Sequence, residues 1–116
     1  MPTDEELSRE RREQREQQQR DEEFSISRAE IAKRILEEPM LNEAFDYIEA
    51  EYVRALQVCD LDDASAFKHA RMQIENIREL KRQLQHVLDT GTMMAFQRDE
   101  RHELEAKLRK DQVENG

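Results

Sequence analysis

Glycine and proline are so scarce in this chain that it cannot make the frequent turns that a β-fold requires. Its 116 residues include two glycines, two prolines and no tryptophan. A β-sandwich or β-barrel needs a turn about every ten residues, and such turns rely on glycine and proline. Charged residues make up 41% of the chain, a composition typical of long helices and coiled coils. The sequence therefore predicts an all-α fold.

Two stretches carry apolar residues at three- and four-residue spacing, which predicts two long amphipathic helices over residues 39–59 and 63–89. Pro39 suits the first turn of the first helix, and the aspartates of residues 60–63 suit a turn. Helices joined by so short a loop pack antiparallel, so we expect a coiled-coil-like helical hairpin. The two stripes comprise Leu41, Phe45, Ile48, Tyr52 and Leu56, then Phe67, Ile74, Ile77, Leu80, Leu84 and Leu88.

The hairpin core is expected to span residues 25–91 and to follow a charged helical arm over residues 1–24. Thr3 and Glu6 have the spacing of a capping box. Residues 2–23 contain one sizeable apolar residue, Leu7, so we expect the arm to fray when it has no partner. A second capping box at Ser27 predicts a separate short helix over residues 28–37.

Beyond the hairpin, the sequence predicts a short helix and a disordered tail within residues 92–116. Gly91 suits the left-handed position that ends a helix, and Thr92 could cap the next one. The tail would cover residues 113–116. Three neighbouring side chains could form an adaptable docking surface, or could cover the end of the hairpin core. They are Met93, Met94 and Phe96.

The charges of the two helices and the width of their apolar stripes both favour the hairpin as a binding surface. Residues 37–63 contain nine acidic residues and one basic residue, whereas residues 64–88 contain five basic and two acidic ones. The oppositely charged edges of the two helices attract each other, although each exposed ion pair contributes only about 0–1 kcal/mol of stability. Met40, Tyr47 and Leu80 widen the apolar stripes, and two helices alone seldom make a stable core. We expect a homo-oligomer or a heteromeric partner; the alternative is a monomeric three- or four-helix bundle closed by the short helices.

Catalytic, cofactor and metal patterns are missing from the sequence, so we expect a non-enzymatic protein. A calcium-binding EF-hand loop starting at Asp60 would need glycine and glutamate at its sixth and twelfth positions, where the chain has Ser65 and Arg71. The three histidines lack ligand spacing. Cys59 lies on an apolar stripe, where a structural thiol is expected.

Composition also indicates the compartment and disfavours some partners. The net charge of −9 disfavours generic DNA binding, because such proteins usually present a basic surface. The single cysteine fits a reducing compartment, the first 20 residues are too polar for a signal peptide, and the apolar runs are too short for a membrane span. We expect a cytoplasmic protein with no small-molecule substrate.

Five short ranges of the hairpin carry a resemblance to known proteins: 38–45, 48–52, 77–80, 84–88 and 89–91. In these ranges the hairpin resembles small helical-hairpin proteins of tailed bacteriophages and prophages. The resemblance implies an assembly or virion component in an infected bacterium, with self or another phage or host protein as partner. The alternatives are a small recognition subunit of a DNA-packaging terminase and an acidic inhibitor of a host protein.

Overall fold

Three helices account for nearly all of the chain in the computed structural model, which describes residues 1–115. They are α1 (Asp4–Glu37), α2 (Pro39–Val58) and α3 (Ala64–Asn115). No strand occurs in these described residues. The all-α prediction is therefore confirmed, and the arrangement agrees with a helical hairpin.

The ends of α2 and α3 follow from proline and aspartate chemistry, as predicted. Glu38 has an extended backbone (φ −73°, ψ 111°) and Pro39 starts α2, because proline disfavours a helical conformation in the residue before it. The Asn42 side-chain amide donates to the carbonyls of Leu36 at 2.6 Å and Glu38 at 3.0 Å, so it satisfies acceptors left free at the end of α1. Asp63 Oδ1 accepts from the Ala66 amide at 3.0 Å and caps α3.

Contacts divide the chain into two compact units. The first contains Met1–Glu30 and the chain from Asp89 onwards, so α1 packs there against the second half of α3. The second contains Ile31–Leu88, which comprises the last turns of α1, all of α2 and the first half of α3.

In the first unit, small residues let the backbones of α1 and α3 come close together. Gly91 is buried, and a Cβ built on it would collide with the Ala29 side chain and lie 2.6 Å from the Ser25 carbonyl oxygen. Ala95, one helical turn further along α3, is half-buried. Because glycine and alanine add little volume, they permit this close approach between helices.

An ion pair forms a second contact between α1 and α3. Glu22 is buried and accepts from both terminal nitrogens of Arg101, at 2.9 and 3.3 Å. This two-bonded geometry is specific for arginine with a carboxylate, and the Glu22 carboxylate raises the pKa of Arg101. Since residue 22 faces residue 101 and residue 29 faces residue 91, the two helices run antiparallel.

The predicted break at Ser27 is wrong, because α1 runs without interruption from Asp4 to Glu37. Packing of Ser25 and Ala29 on α3 outweighs the local preference of serine for a helix start. The capping box at the other end is confirmed: Thr3 Oγ1 accepts from the Glu6 amide, and Glu6 Oε2 accepts from the Thr3 amide.

The predicted end of a helix at Gly91 and the restart after Thr92 are also wrong, since α3 continues to Asn115. No described glycine has a positive φ, so Gly91 serves close packing and not a left-handed cap. The tail predicted over residues 113–116 is helical through Asn115, and Gly116 lies outside the described residues.

Candidate interaction surface

The core that the helices bury is thin. Among the described residues the buried hydrophobic side chains are Ala29, Ala32, Ala70 and Ile74, and no large side chain is fully buried. The chain exposes 10009 Å² to solvent, whereas a compact folded monomer of this mass exposes about 6,700 Å². The exposed surface includes large apolar side chains, among them Met40, Tyr47 and Val58.

Most of the predicted stripe faces the boundary between α2 and α3, although three members do not. Ile74 is buried, with 5% of its surface exposed. Seven residues are half-buried: Leu41, Phe45, Tyr52, Leu56, Ile77, Leu84 and Leu88. The remaining three are exposed: Ile48, Phe67 and Leu80. The stripe is therefore wider than the contact that it makes within the chain.

Ion pairs cross from α2 to α3 on one face of this helix pair, which we call the charged face. Arg78 Nε donates to Glu49 Oε1 at 3.0 Å, and Lys81 Nζ donates to Asp46 Oδ1 at 3.4 Å. Lys81 also lies 4.0 Å from Glu49 and 5.9 Å from the centre of the Phe45 ring. The predicted attraction between acidic α2 and basic α3 is confirmed, and these pairs help to fix the antiparallel register.

The opposite face of the pair, which we call the open face, is mostly uncharged. One turn of helix takes 3.6 residues, so a side chain two positions from an ion-pair residue lies about 160° around its helix. Ile48 and Leu80 stand in this relation to Asp46 and Arg78. The open face comprises Met40, Tyr47 and Ile48 of α2 with Asn76 and Leu80 of α3, all exposed.

Large apolar side chains on the open face have no cover. Met40 is 77% exposed, Tyr47 68% and Leu80 47%. Exposed single apolar residues are common, whereas a contiguous group of them on one face marks an interaction site. The open face is therefore the strongest candidate site in the second unit.

No known protein family, curated protein sequence or solved structure matches this chain. The candidate site consequently depends on the geometry and chemistry of the chain's own residues.

The cluster of Met93, Met94 and Phe96 lies within α3 and not at the start of a helix. Met93 and Phe96 are more than half exposed. Met94 is half-buried and lines a hollow of about 440 Å³ together with glutamines of α1, among them Gln14 and Gln17. A docking role for this cluster stays a prediction.

Polar side chains dominate another hollow of the first unit, whose volume is about 480 Å³. Its lining includes the Glu22–Arg101 ion pair and Gln18. The two charged groups bind each other, so the hollow follows from the packing of α1 on α3.

The remaining titratable groups make local contacts. His69 meets the Tyr52 ring edge-on, with ring centres 6.2 Å apart. Cys59 is half-buried and its thiol donates to the Leu56 carbonyl at 3.4 Å. Hydrogen bonds from Gln83 and Arg82 lower the pKa of Glu79 on the surface of α3.

The described residues hold neither a metal-binding cluster nor a membrane-spanning helix. Within residues 1–115, no three His, Cys, Asp or Glu side chains gather closely enough to hold a metal ion. None of the helices in that part of the chain combines the length and the apolarity needed to cross a bilayer.

Sequence reasoning missed the pairing of α1 with α3. Gly91 was predicted to end a helix, and no contact was predicted for Glu22 or Arg101. A usable signal was present: Ser25 and Ala29 are four residues apart, as are Gly91 and Ala95. Small residues at this spacing share one helix face and suit close packing of two helices.

Proposed function

We propose that this protein is a non-enzymatic assembly component that acts by oligomerising and by binding other chains, as its resemblance to tailed-phage hairpin proteins implies. Its place of action would be an infected bacterium, and its partners would be further copies of itself or other phage proteins. No small-molecule substrate or cofactor enters this proposal.

One observation carries the proposal: the second unit leaves the open face of its helix pair uncovered. Two helices share only one mutual contact, and a stable domain of this size usually has a further layer. The exposed fractions of Met40 (77%), Tyr47 (68%) and Leu80 (47%) support a role in which another chain supplies that layer.

The absolute mass of the purified protein tests the proposal, measured by light scattering across a dilution series. We expect a multimer of the 13.9 kDa chain that persists at micromolar concentration. A mass of one chain at all concentrations would contradict self-assembly.

Two alternatives have their own readouts in the same samples. Salt-sensitive binding to duplex DNA would favour a DNA-packaging recognition subunit. A monomer that forms a tight complex with one purified host protein, and with no virion protein, would favour an acidic inhibitor.

A further inference from the structure

We propose that a second copy of this chain covers the open face, so that two α2–α3 pairs form an antiparallel four-helix bundle about a twofold axis. The inference rests on the proposed function, because it presumes that the chain self-associates. It adds the surface that is used, the identity of the partner and the relative direction of the two hairpins.

Charge is the first argument for a second copy. Each chain carries a net charge of −9, so two copies repel unless they meet where charge is low. The open face meets this condition. Its charged neighbours on α2 are Glu43 and Glu51, and the Glu51 carboxylate lies 3.2 Å from Arg54. A basic partner would instead gain most on the acidic side of α2, near Asp46, which is 74% exposed.

Area is the second argument. The 20 residues of α2 span about 30 Å, and two adjacent helices are about 20 Å wide. The face therefore offers about 600 Å², close to the roughly 800 Å² that each partner contributes to a standard interface. A twofold axis lets the same residues serve both copies, since an isologous interface uses one patch twice.

The turn between α2 and α3 determines the direction of packing. It contains Asp60, Asp62 and Asp63, so a parallel arrangement would bring two such turns together. In an antiparallel arrangement the turns lie at opposite ends of the bundle. Their separation then exceeds the Debye length of about 8 Å at physiological ionic strength, and their repulsion is screened.

A pair of double variants tests the surface. Tyr47→Glu with Leu80→Glu places two carboxylates per chain on the open face. Gln57→Glu with Phe67→Glu adds the same charge away from it, because exposed Gln57 lies three helical turns beyond Asp46 on the charged face. Phe67 is 46% exposed and Leu80 47%. Desolvating carboxylates is costly, so we expect the first variant to raise the dimer dissociation constant by about 100-fold or more. The control should remain a dimer of two 13.9 kDa chains.

Circular dichroism keeps this comparison interpretable, because both double variants should retain the helix content of the unaltered chain. A dimer that is equally stable in both variants would overturn the open face as the interface, while self-association itself would stand. If the unaltered chain were a monomer at every concentration, that result would contradict this inference. It would also contradict the self-assembly that the proposed function requires.

Spin labels test the direction. Cys59 is the single cysteine, so Cys59→Ser with Asp62→Cys leaves one labelling site at the turn. The last residue of α2, Val58, lies 10 residues beyond Ile48, or about 15 Å at 1.5 Å per residue, and Asp62 follows in the turn. With the twofold axis near Ile48, we expect more than about 30 Å between the two labels of an antiparallel dimer. A distance below about 25 Å would show parallel hairpins and overturn the orientation.

Discussion

Position 91 has room for a hydrogen atom and for no larger group. A Cβ there would meet the Ala29 side chain and would lie 2.6 Å from the carbonyl oxygen and 3.3 Å from the carbonyl carbon of Ser25. Glycine usually weakens a helix interior by about 0.5–1 kcal/mol relative to alanine. Here its small size is needed for packing, so the usual effect of replacing it should be reversed.

Gly91→Ala should therefore lower the free energy of unfolding by about 1–3 kcal/mol, the typical cost of overpacking. Thermal or urea unfolding followed by circular dichroism measures the change. Adding Ala29→Gly should restore part of the loss, because it removes the first of the two obstacles and leaves the Ser25 carbonyl. A more stable Gly91→Ala variant would contradict the close approach of α1 to α3.

The Glu22–Arg101 pair shows why a residue's neighbours in space cannot be read from the sequence around it. Glu22 lies in a run of charged residues, and such runs are usually solvated. In the structure its side chain is 10% exposed, and Arg101 binds it with two hydrogen bonds. Removing Arg101 would leave the buried Glu22 carboxylate without its partner, which is costly, so the pair favours one alignment of the two helices.

At the scale of elements, the sequence was sufficient wherever a local rule decides a helix end. Pro39 begins α2 and Asp63 caps α3, because proline and aspartate act on the backbone beside them. The hairpin was equally predictable, since its apolar stripes are regular and its two helices carry opposite net charge. These features need no knowledge of distant contacts.

The full lengths of α1 and α3 could not be predicted, because tertiary packing determines that these helices continue without a break. The continuity of α1 at Ser27 and of α3 at Gly91 depends on contacts between residues more than 60 positions apart. Those contacts use small side chains and one ion pair, so they leave little trace in an apolar pattern. The open face was partly foreseen, since Met40, Tyr47 and Leu80 extend the stripes beyond the width that one contact can cover.

Core substitutions test whether the α2–α3 pair is the stable element. Ile74, which is 5% exposed, should lose about 2–5 kcal/mol of stability when replaced by alanine. Leu84 is half-buried and should lose less.

Leu7, which is 37% exposed on α1, is the control and should change by no more than about 0.5 kcal/mol. Denaturant unfolding of the three alanine variants measures these differences. Equal, small effects at all three positions would argue against the hairpin.

For the whole molecule, association and folding should be coupled. A helix pair with so few buried side chains gains part of its stability from the partner that covers it, and binding to the native state raises apparent stability by mass action. The thermal midpoint should therefore rise with protein concentration. Calorimetry over a hundredfold range of concentration checks this, and a constant midpoint would indicate that each chain is stable alone.

The close approach of α1 to α3 at Gly91 also limits which substitutions this sequence can accept during evolution. A slip of α3 by seven residues would bring Leu84 or Arg98 to the point where not even a methyl group fits, so the alignment with α1 tolerates no shift of this kind. Surface charges on both helices can be exchanged at little cost. A divergent descendant should then be recognisable by a few small residues: two on the first helix, four apart, and a glycine some 60 positions later, with much of the intervening sequence rewritten.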